Sequence, residues 1–377
     1  MAGIYFHIPF CKQACHYCDF HFSTSLSTKD NLMQAMLREL SLQQRYLEGH
    51  VIESIYFGGG TPSLLEAGEV DRLIGLAGQY YEIAPHAEIT LEANPDDLTP
   101  AKVRELRGTP VNRFSIGVQS FFEEDLRWMN RAHNATEAES SIKRVQDAGF
   151  ENITIDLIYG YPLLSDEKWE QNLRSASGLD IVHLSAYSMT VEPKTALASF
   201  IRKGKQAAMD EEQSARQFMV LMETMPAAGY EQYEISNFAK PGQHARHNSN
   251  YWKGVPYLGI GPSAHSFNGT QRQWNIANNP KYIAAISKGD LPFESESLTT
   301  ENRVNEYIMT SLRTMWGMDL AHINQQFGSD YEQKIREGLQ ILVEKGEVDL
   351  SGSVATLTTR GKLLADHITS ELFIAED

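Results

Sequence analysis

Short apolar runs recur through the first half of the chain, separated by stretches whose apolar positions repeat at helical spacing. Ile4–Ile8, Ser54–Phe57, Glu88–Glu92, Arg113–Val118, Ile153–Ile158 and Ile181–Tyr187 read as strands. Lys29–Tyr46, Glu69–Tyr81, Thr136–Ala148 and Asp166–Ala176 read as amphipathic helices between them. Strand then helix, repeated, predicts a parallel sheet with crossovers. Six such units within about 190 residues predict an α/β fold, a partial (β/α)6 barrel rather than a doubly wound sheet. The main reason is that polar residues gather at successive strand ends, where an α/β barrel builds its site.

Further along, Asp210–Ala228 is helical in pattern, and Tyr230–Pro262 is rich in aromatics, Asn, His and Gly. The latter predicts irregular structure with short strands, a kind of segment that often carries function. From Thr299 the pattern is helical again, at Glu301–Thr314, Leu320–Phe327 and Tyr331–Lys345. A hairpin is expected at Glu347–Leu357, turning at Ser351-Gly352-Ser353, and a last helix from Thr359 to Glu371. The expected organisation is a barrel over 1–200, an extension over 201–298 and a mostly helical, winged-helix-like domain over 299–377. That last segment has 7 Lys and Arg against 13 Asp and Glu, so it reads as a packing domain and not as a DNA reader.

Charge sharpens the picture. The formal net charge is −16 and no basic patch stands out, which argues against a nucleic-acid partner. No apolar run approaches the roughly 20 residues that span a bilayer, so no transmembrane segment is expected; peripheral membrane contact stays open. The N-terminus lacks a basic region followed by a long apolar stretch, so a cytoplasmic location is expected. In a reducing compartment, cysteines are more often ligands or catalysts than disulfides.

The chain has 3 cysteines, and all of them fall between positions 11 and 18, in Cys11-Lys12-Gln13-Ala14-Cys15-His16-Tyr17-Cys18. A cubane cluster normally takes one thiolate on each of four irons. Three thiolates therefore leave one iron open for a further ligand. The alternative is zinc, with His16, His21 or His7 as a fourth ligand, although Cys3His zinc sites usually draw on two separated ligand pairs. The spacing on one loop favours the cluster.

Other polar positions suit a barrel rim. Phe57-Gly58-Gly59-Gly60-Thr61-Pro62 follows the second predicted strand, and glycines there let backbone approach a ligand. Glu92, Gln119 and Asp156 fall at or near strand ends. Singly, each also suits a turn cap, a loop contact or a buried pair.

The cysteine motif, with an apolar strand before it and an aromatic inside it, resembles the radical SAM superfamily. The flanking residues make it similar to the oxygen-independent coproporphyrinogen oxidases and their relatives. This resemblance implies a [4Fe–4S] cluster on Cys11, Cys15 and Cys18, with S-adenosylmethionine chelated at the open iron. A reduced cluster in this superfamily delivers an electron to the sulfonium. By matched position, the resemblance implies adenosylmethionine contacts from Tyr5, Tyr17, Gly59, Gly60, Thr61, Glu92, Gln119, Arg131 and Asp156. Without it, Arg131 would read as a surface helix arginine.

Two departures from the oxidase pattern argue against coproporphyrinogen decarboxylation. Phe20 stands where the oxidases have a fourth cysteine, and the first predicted strand begins almost at Met1, without their N-terminal arm. A third feature is His247-Asn248-Ser249-Asn250-Tyr251-Trp252. With Phe20, this segment resembles the heme-chaperone branch of the group. The implied function is a heme carrier that passes heme to an acceptor protein, with His247, Tyr251 and Trp252 in heme contact. Arg246 is a candidate propionate partner. Read without the resemblance, these aromatics are loop anchors and His247 hydrogen-bonds locally. The alternatives are a radical enzyme acting on a tetrapyrrole and a zinc-stabilised scaffold.

Overall fold

The structure, a computed structural model, describes residues 1–375. Residues 376 and 377 of the expected C-terminal segment lie outside the described residues.

Six parallel strands form the heart of the fold: β1 (Ala2–Ile8), β2 (Ile52–Gly59), β3 (Ile83–Ala93), β4 (Arg113–Gln119), β5 (Asn152–Tyr159) and β6 (His183–Ser188). Each lies within a few residues of its expected position. Their alternation explains why they form. One face carries Ile4, Phe6, Ile55, Phe57, Leu91, Phe114, Ile116 and Ile155, all buried beneath the crossover helices. Each such side chain contributes about 1.5–3 kcal/mol by leaving water. The other face is polar and lines the concave interior: Tyr5 and His7, Ser54 and Tyr56, Glu88 and Glu92, Thr154 and Asp156, His183 and Ser185.

A polar interior must satisfy its own hydrogen bonds. Arg113, 2% exposed, donates to Thr90 Oγ1 at 3.3 Å and to Thr154 Oγ1. His183 pairs with the Tyr233 hydroxyl at 2.8 Å.

Short strands extend the sheet at both edges. β8 (Asn237–Ala239) adds antiparallel to β6, and β7 (Glu231–Glu234) pairs antiparallel with β8 at the edge. β9 (Tyr257–Ile260) pairs parallel with β1, and β10 (His265–Phe267), β11 (Gln271–Asn275) and β12 (Phe293–Ser297) follow. The result is one open twelve-stranded sheet, ordered β12-β11-β10-β9-β1-β2-β3-β4-β5-β6-β8-β7. The chain leaves β8 on the β6 side of the sheet and re-enters as β9 on the β1 side. Helix Arg246–Trp252 makes that crossing, beneath the N-terminal ends of β1–β3.

The last segment has its own core of Val304, Ile308, Leu312, Ile323, Leu339 and Ile368. Helices Thr300–Leu312, Leu320–Phe327 and Ser329–Glu344 pack with a hairpin of Val348–Ser351 and Val354–Leu357. The hairpin turns at Gly352 (φ 63°), as expected. The single last helix expected from Thr359 is instead two, Thr359–Leu363 and Ala365–Glu371, because the backbone leaves helical angles at Leu364.

Candidate metal and cofactor site

The cysteine loop follows β1 directly and is tied down on several sides. Lys12 Nζ pairs with Asp96 at 2.7 Å and also with Asp97. Gln13 Nε2 donates to Asn130 Oδ1 at 2.7 Å. The His16 N–H donates to the Met129 carbonyl, and its Nδ1 meets the Trp128 carbonyl at 2.9 Å. The Cys11 N–H donates to the Ser23 carbonyl at 3.0 Å. The backbone thus presents all three thiols from a fixed loop. Burial raises the Cys11 thiol and pushes Cys18 up to about 12, so both are neutral until a cation replaces their protons.

Arg131 lies past helix Glu123–Trp128, after a left-handed turn at Asn130 (φ 58°). That turn aims the guanidinium inward and not at solvent. Its Nη1 is 3.4 Å from Cys15 Sγ, and its Nη2 donates to Asn94 Oδ1 (2.7 Å) and the Gly117 carbonyl (2.8 Å). Its Nε is buried without a partner. Burial works against its charge, but Tyr17 and Cys15 beside it hold the guanidinium protonated.

The glycine run ends β2 against this loop. A Cβ on Gly60 would sit 2.7 Å from the Phe10 carbonyl oxygen and 2.8 Å from that of Ile8. Gly59 has φ 105°, and a Cβ there would meet the His7 ring at 2.6 Å. A Cβ on Gly58 would meet Tyr5, Tyr56 and Glu92 at 2.9–3.0 Å. The Thr61 hydroxyl faces the Cys11 thiol and accepts from Asn94 Nδ2 at 3.3 Å.

Beneath the loops, Tyr56 donates to Glu92 Oε1 at 2.8 Å. Burial pushes the Glu92 carboxyl up to about 7; the Tyr56 bond opposes this and Asp156 adds to it. Burial also pushes Asp156 up to about 6, opposed by Ser185, Arg113 and Arg131. Gln119 ends β4 in the left-handed region (φ 66°), and its Nε2 shares the space over Gly117 with Arg131. The structure therefore gathers Tyr5, Tyr17, the glycine loop, Glu92, Gln119, Arg131 and Asp156 around the C-terminal end of the barrel, beside the three thiols.

This arrangement fits a cluster with an added ligand. It offers three thiols on one side, a cradle that a Cβ would fill, an orphaned Arg131 Nε, and two buried carboxyls able to face an amine or sulfonium. Of the three histidines that could complete a Cys3His zinc shell, His7 is the one the structure disfavours. His7 has both ring nitrogens engaged, with Tyr5 and the His21 carbonyl. His16 and His21 each bond one ring nitrogen elsewhere, His21 to Asn279 Oδ1 at 2.7 Å, an arrangement that metal-ligating histidines commonly share.

His247, Tyr251 and Trp252 are not part of this rim. They lie at the opposite foot of the barrel. The His247 imidazole points inward, bonds Ser54 Oγ at 2.9 Å and stacks on Tyr56. Burial lowers it to about 4, so it is neutral. Trp252 packs under Arg313, with its indole N–H buried and unpaired, and Tyr251 is 48% exposed. Arg246 spends its guanidinium on the His86 carbonyl at 2.8 Å. Phe20, beside the cysteine loop, is 66% exposed.

Tyr56 and Asn94 belong to the site although no motif marked them, and so does Gly58, which lies in the glycine run with no contact assigned to it. The inward alternation Ser54-Tyr56-Gly58 was the available signal for Tyr56 and Gly58. Asn94 had none, because its role comes from Arg131 folding back across the chain.

Comparison with known proteins agrees with this architecture. Residues 5–176 match the Radical SAM superfamily and residues 298–364 match the HemN C-terminal domain. The chain is 34% identical over 371 residues to Heme chaperone HemW of Bacillus subtilis, covering 98% of each protein. It is 32% identical over 380 residues to Heme chaperone HemW of Escherichia coli, covering 99% of this chain and 98% of that one. The fold matches that of coproporphyrinogen III oxidase (HemN) from Escherichia coli, a radical SAM enzyme. The TM-score is 0.85 at 23% identity, over 99% of this chain and 90% of that one. No helix among the described residues is long and apolar enough to cross a membrane. With near full-length identity to these relatives and a barrel that gathers its cysteine and glycine loops at one rim, the chain belongs to the HemW family of the radical SAM superfamily.

Proposed function

We propose that the chain holds a [4Fe–4S] cluster on Cys11, Cys15 and Cys18, binds S-adenosylmethionine beside it, and carries heme to an acceptor protein. The observation that carries the first two parts is the fixed three-thiol loop facing the glycine cradle and the Arg131 guanidinium. When bound, the cluster supplies one open iron and an electron. The protein's own residues do the positioning. The glycine-loop backbone accepts close approach, Glu92 and Asp156 receive the cationic part of the ligand, Tyr17 and Tyr5 pack against it, and Gln119 and Arg131 fix the rim.

The heme part rests on the relatives, which are heme chaperones by name. Its geometry is specific. Of His247, Tyr251 and Trp252, only Tyr251 is exposed, so heme contact at the barrel foot begins with Tyr251 and half-buried Trp252, near Lys253 and Trp316. Iron ligation by His247 requires helix Arg246–Trp252 to withdraw from the barrel, since the imidazole is seated on Tyr56 and Ser54. The exposed Phe20, with no thiol at that position, agrees with a carrier and not with a coproporphyrinogen decarboxylase. Titrating the purified chain with heme is expected to give a shifted Soret band that saturates at one heme per chain, weakened in Tyr251→Ala. A Soret band identical to free heme at all ratios would contradict the carrier reading.

A further inference from the structure

The foot of the barrel and the rim are joined by a column of contacts. At the foot, the Glu88 carboxylate accepts the backbone N–H groups of Arg246 (2.8 Å) and His247 (2.9 Å). This fixes the start, where a carboxylate is favourable, of helix Arg246–Trp252, the plug helix that closes the foot. The His247 ring then enters the barrel, tethered to Ser54 Oγ at 2.9 Å. Gly3 makes room: a Cβ there would stand 3.3 Å from the imidazole and 3.0 Å from Ser54 Oγ.

Above it lies Tyr56, whose ring stacks on His247 at 5.0 Å with an interplanar angle of 28°. Tyr5 flanks Tyr56 at 6.1 Å. From above, Gly58 brings the β2 backbone so close that a single added Cβ would touch Tyr56 at 2.9 Å and Glu92 Oε1 at 3.0 Å. The Tyr56 ring is thus held from below by the plug and from above by its own strand. Its hydroxyl has one acceptor, Glu92 Oε1, at 2.8 Å.

We infer that Tyr56 is a positioning residue for the adenosylmethionine site, and that the plug helix, through His247, sets where Tyr56 holds the Glu92 carboxylate. This rests on the reading that Glu92 contacts the ligand. It gives the His247 segment a role inside the barrel that does not depend on heme, and it makes the two ends of the barrel one coupled unit.

The test uses the full chain, reconstituted anaerobically, with adenosylmethionine titrated against the EPR spectrum of the reduced cluster. Tyr56→Phe keeps the ring and removes one hydrogen bond to a charged acceptor. It is expected to weaken adenosylmethionine binding about ten- to a hundredfold at unchanged iron and sulfide content. His247→Ala is expected to weaken it several-fold. If that variant fails to fold, Ser54→Ala, which frees the imidazole from its tether, takes its place. Glu92→Gln is the control for the underlying reading: unchanged binding there removes Glu92 from the site and the inference with it. Weakened binding in Glu92→Gln with unchanged binding in Tyr56→Phe would overturn the inference and leave the site standing. Weakened binding in Tyr56→Phe with none in His247→Ala or Ser54→Ala would overturn the coupling to the foot.

Discussion

Replacing Cys15 by serine is expected to abolish cluster assembly while leaving the fold intact. The serine hydroxyl is a hard, weakly acidic donor where the irons require a soft thiolate. With only three tethers, no fourth cysteine can substitute, because the chain has 3 in all. Changes to residues that merely orient a metal ligand already cost about 10–100-fold in affinity, so loss of a ligand costs more. The fold is expected to survive because the loop is fixed by contacts that Cys15 does not make. These are Lys12 with Asp96, Gln13 with Asn130, and His16 with the Trp128 and Met129 carbonyls. The check is iron and sulfide content after anaerobic reconstitution, beside a thermal melt. Background iron with an unchanged melting temperature is the expected outcome; full iron loading would contradict the ligand set.

Replacing Gly60 by alanine is expected to disrupt the cofactor region, although it adds only a single methyl group. The added Cβ would stand 2.7 Å from the Phe10 carbonyl oxygen, 2.8 Å from that of Ile8 and 2.9 Å from the Phe10 nitrogen. All three are backbone atoms of the segment that leads into Cys11, so none can rotate aside. The same strands meet through the Gly60 N–H, which donates to the Ile8 carbonyl at 2.9 Å. Relief therefore means separating the glycine loop from the cysteine loop. Overpacking of this kind costs about 1–3 kcal/mol or more, and here it also displaces the ligand cradle. Gly75→Ala is the matched control, because that glycine sits in the exposed interior of helix Ala67–Tyr80 with nothing within 4 Å. There an alanine is expected to stabilise by about 0.5–1 kcal/mol. Melting temperature and adenosylmethionine affinity together check the pair; Gly60→Ala behaving like Gly75→Ala would refute the close approach.

How far these features could be read from the sequence follows from where each is encoded. The six parallel strands were legible because their alternation is inverted in a useful way. Apolar residues such as Phe6, Phe57 and Ile116 face the helices, and polar ones such as Tyr5, Glu92 and Asp156 face inward. The cysteine loop was legible because all its ligands lie on one short segment. Short strands were expected within Tyr230–Pro262, but the bounds and pairing of those in residues 231–297 were not legible, because β8 and β10 have only three residues each and owe their pairing to neighbours distant in sequence. The place of the His247 segment was hidden for a related reason. Nothing local reveals that the chain crosses from the β6 side to the β1 side of the sheet between β8 and β9, so nothing local sends that helix to the foot. Arg131 was ambiguous because its burial depends on one left-handed residue, Asn130, that sequence spacing does not signal.

EPR of the anaerobically reconstituted, reduced protein with and without S-adenosylmethionine tests the central claim most directly. The account predicts a cubane signal whose g-values shift when the ligand is added, because one iron is free to coordinate it. A signal that does not change at saturating S-adenosylmethionine, or a protein that takes up zinc and no iron, would contradict it.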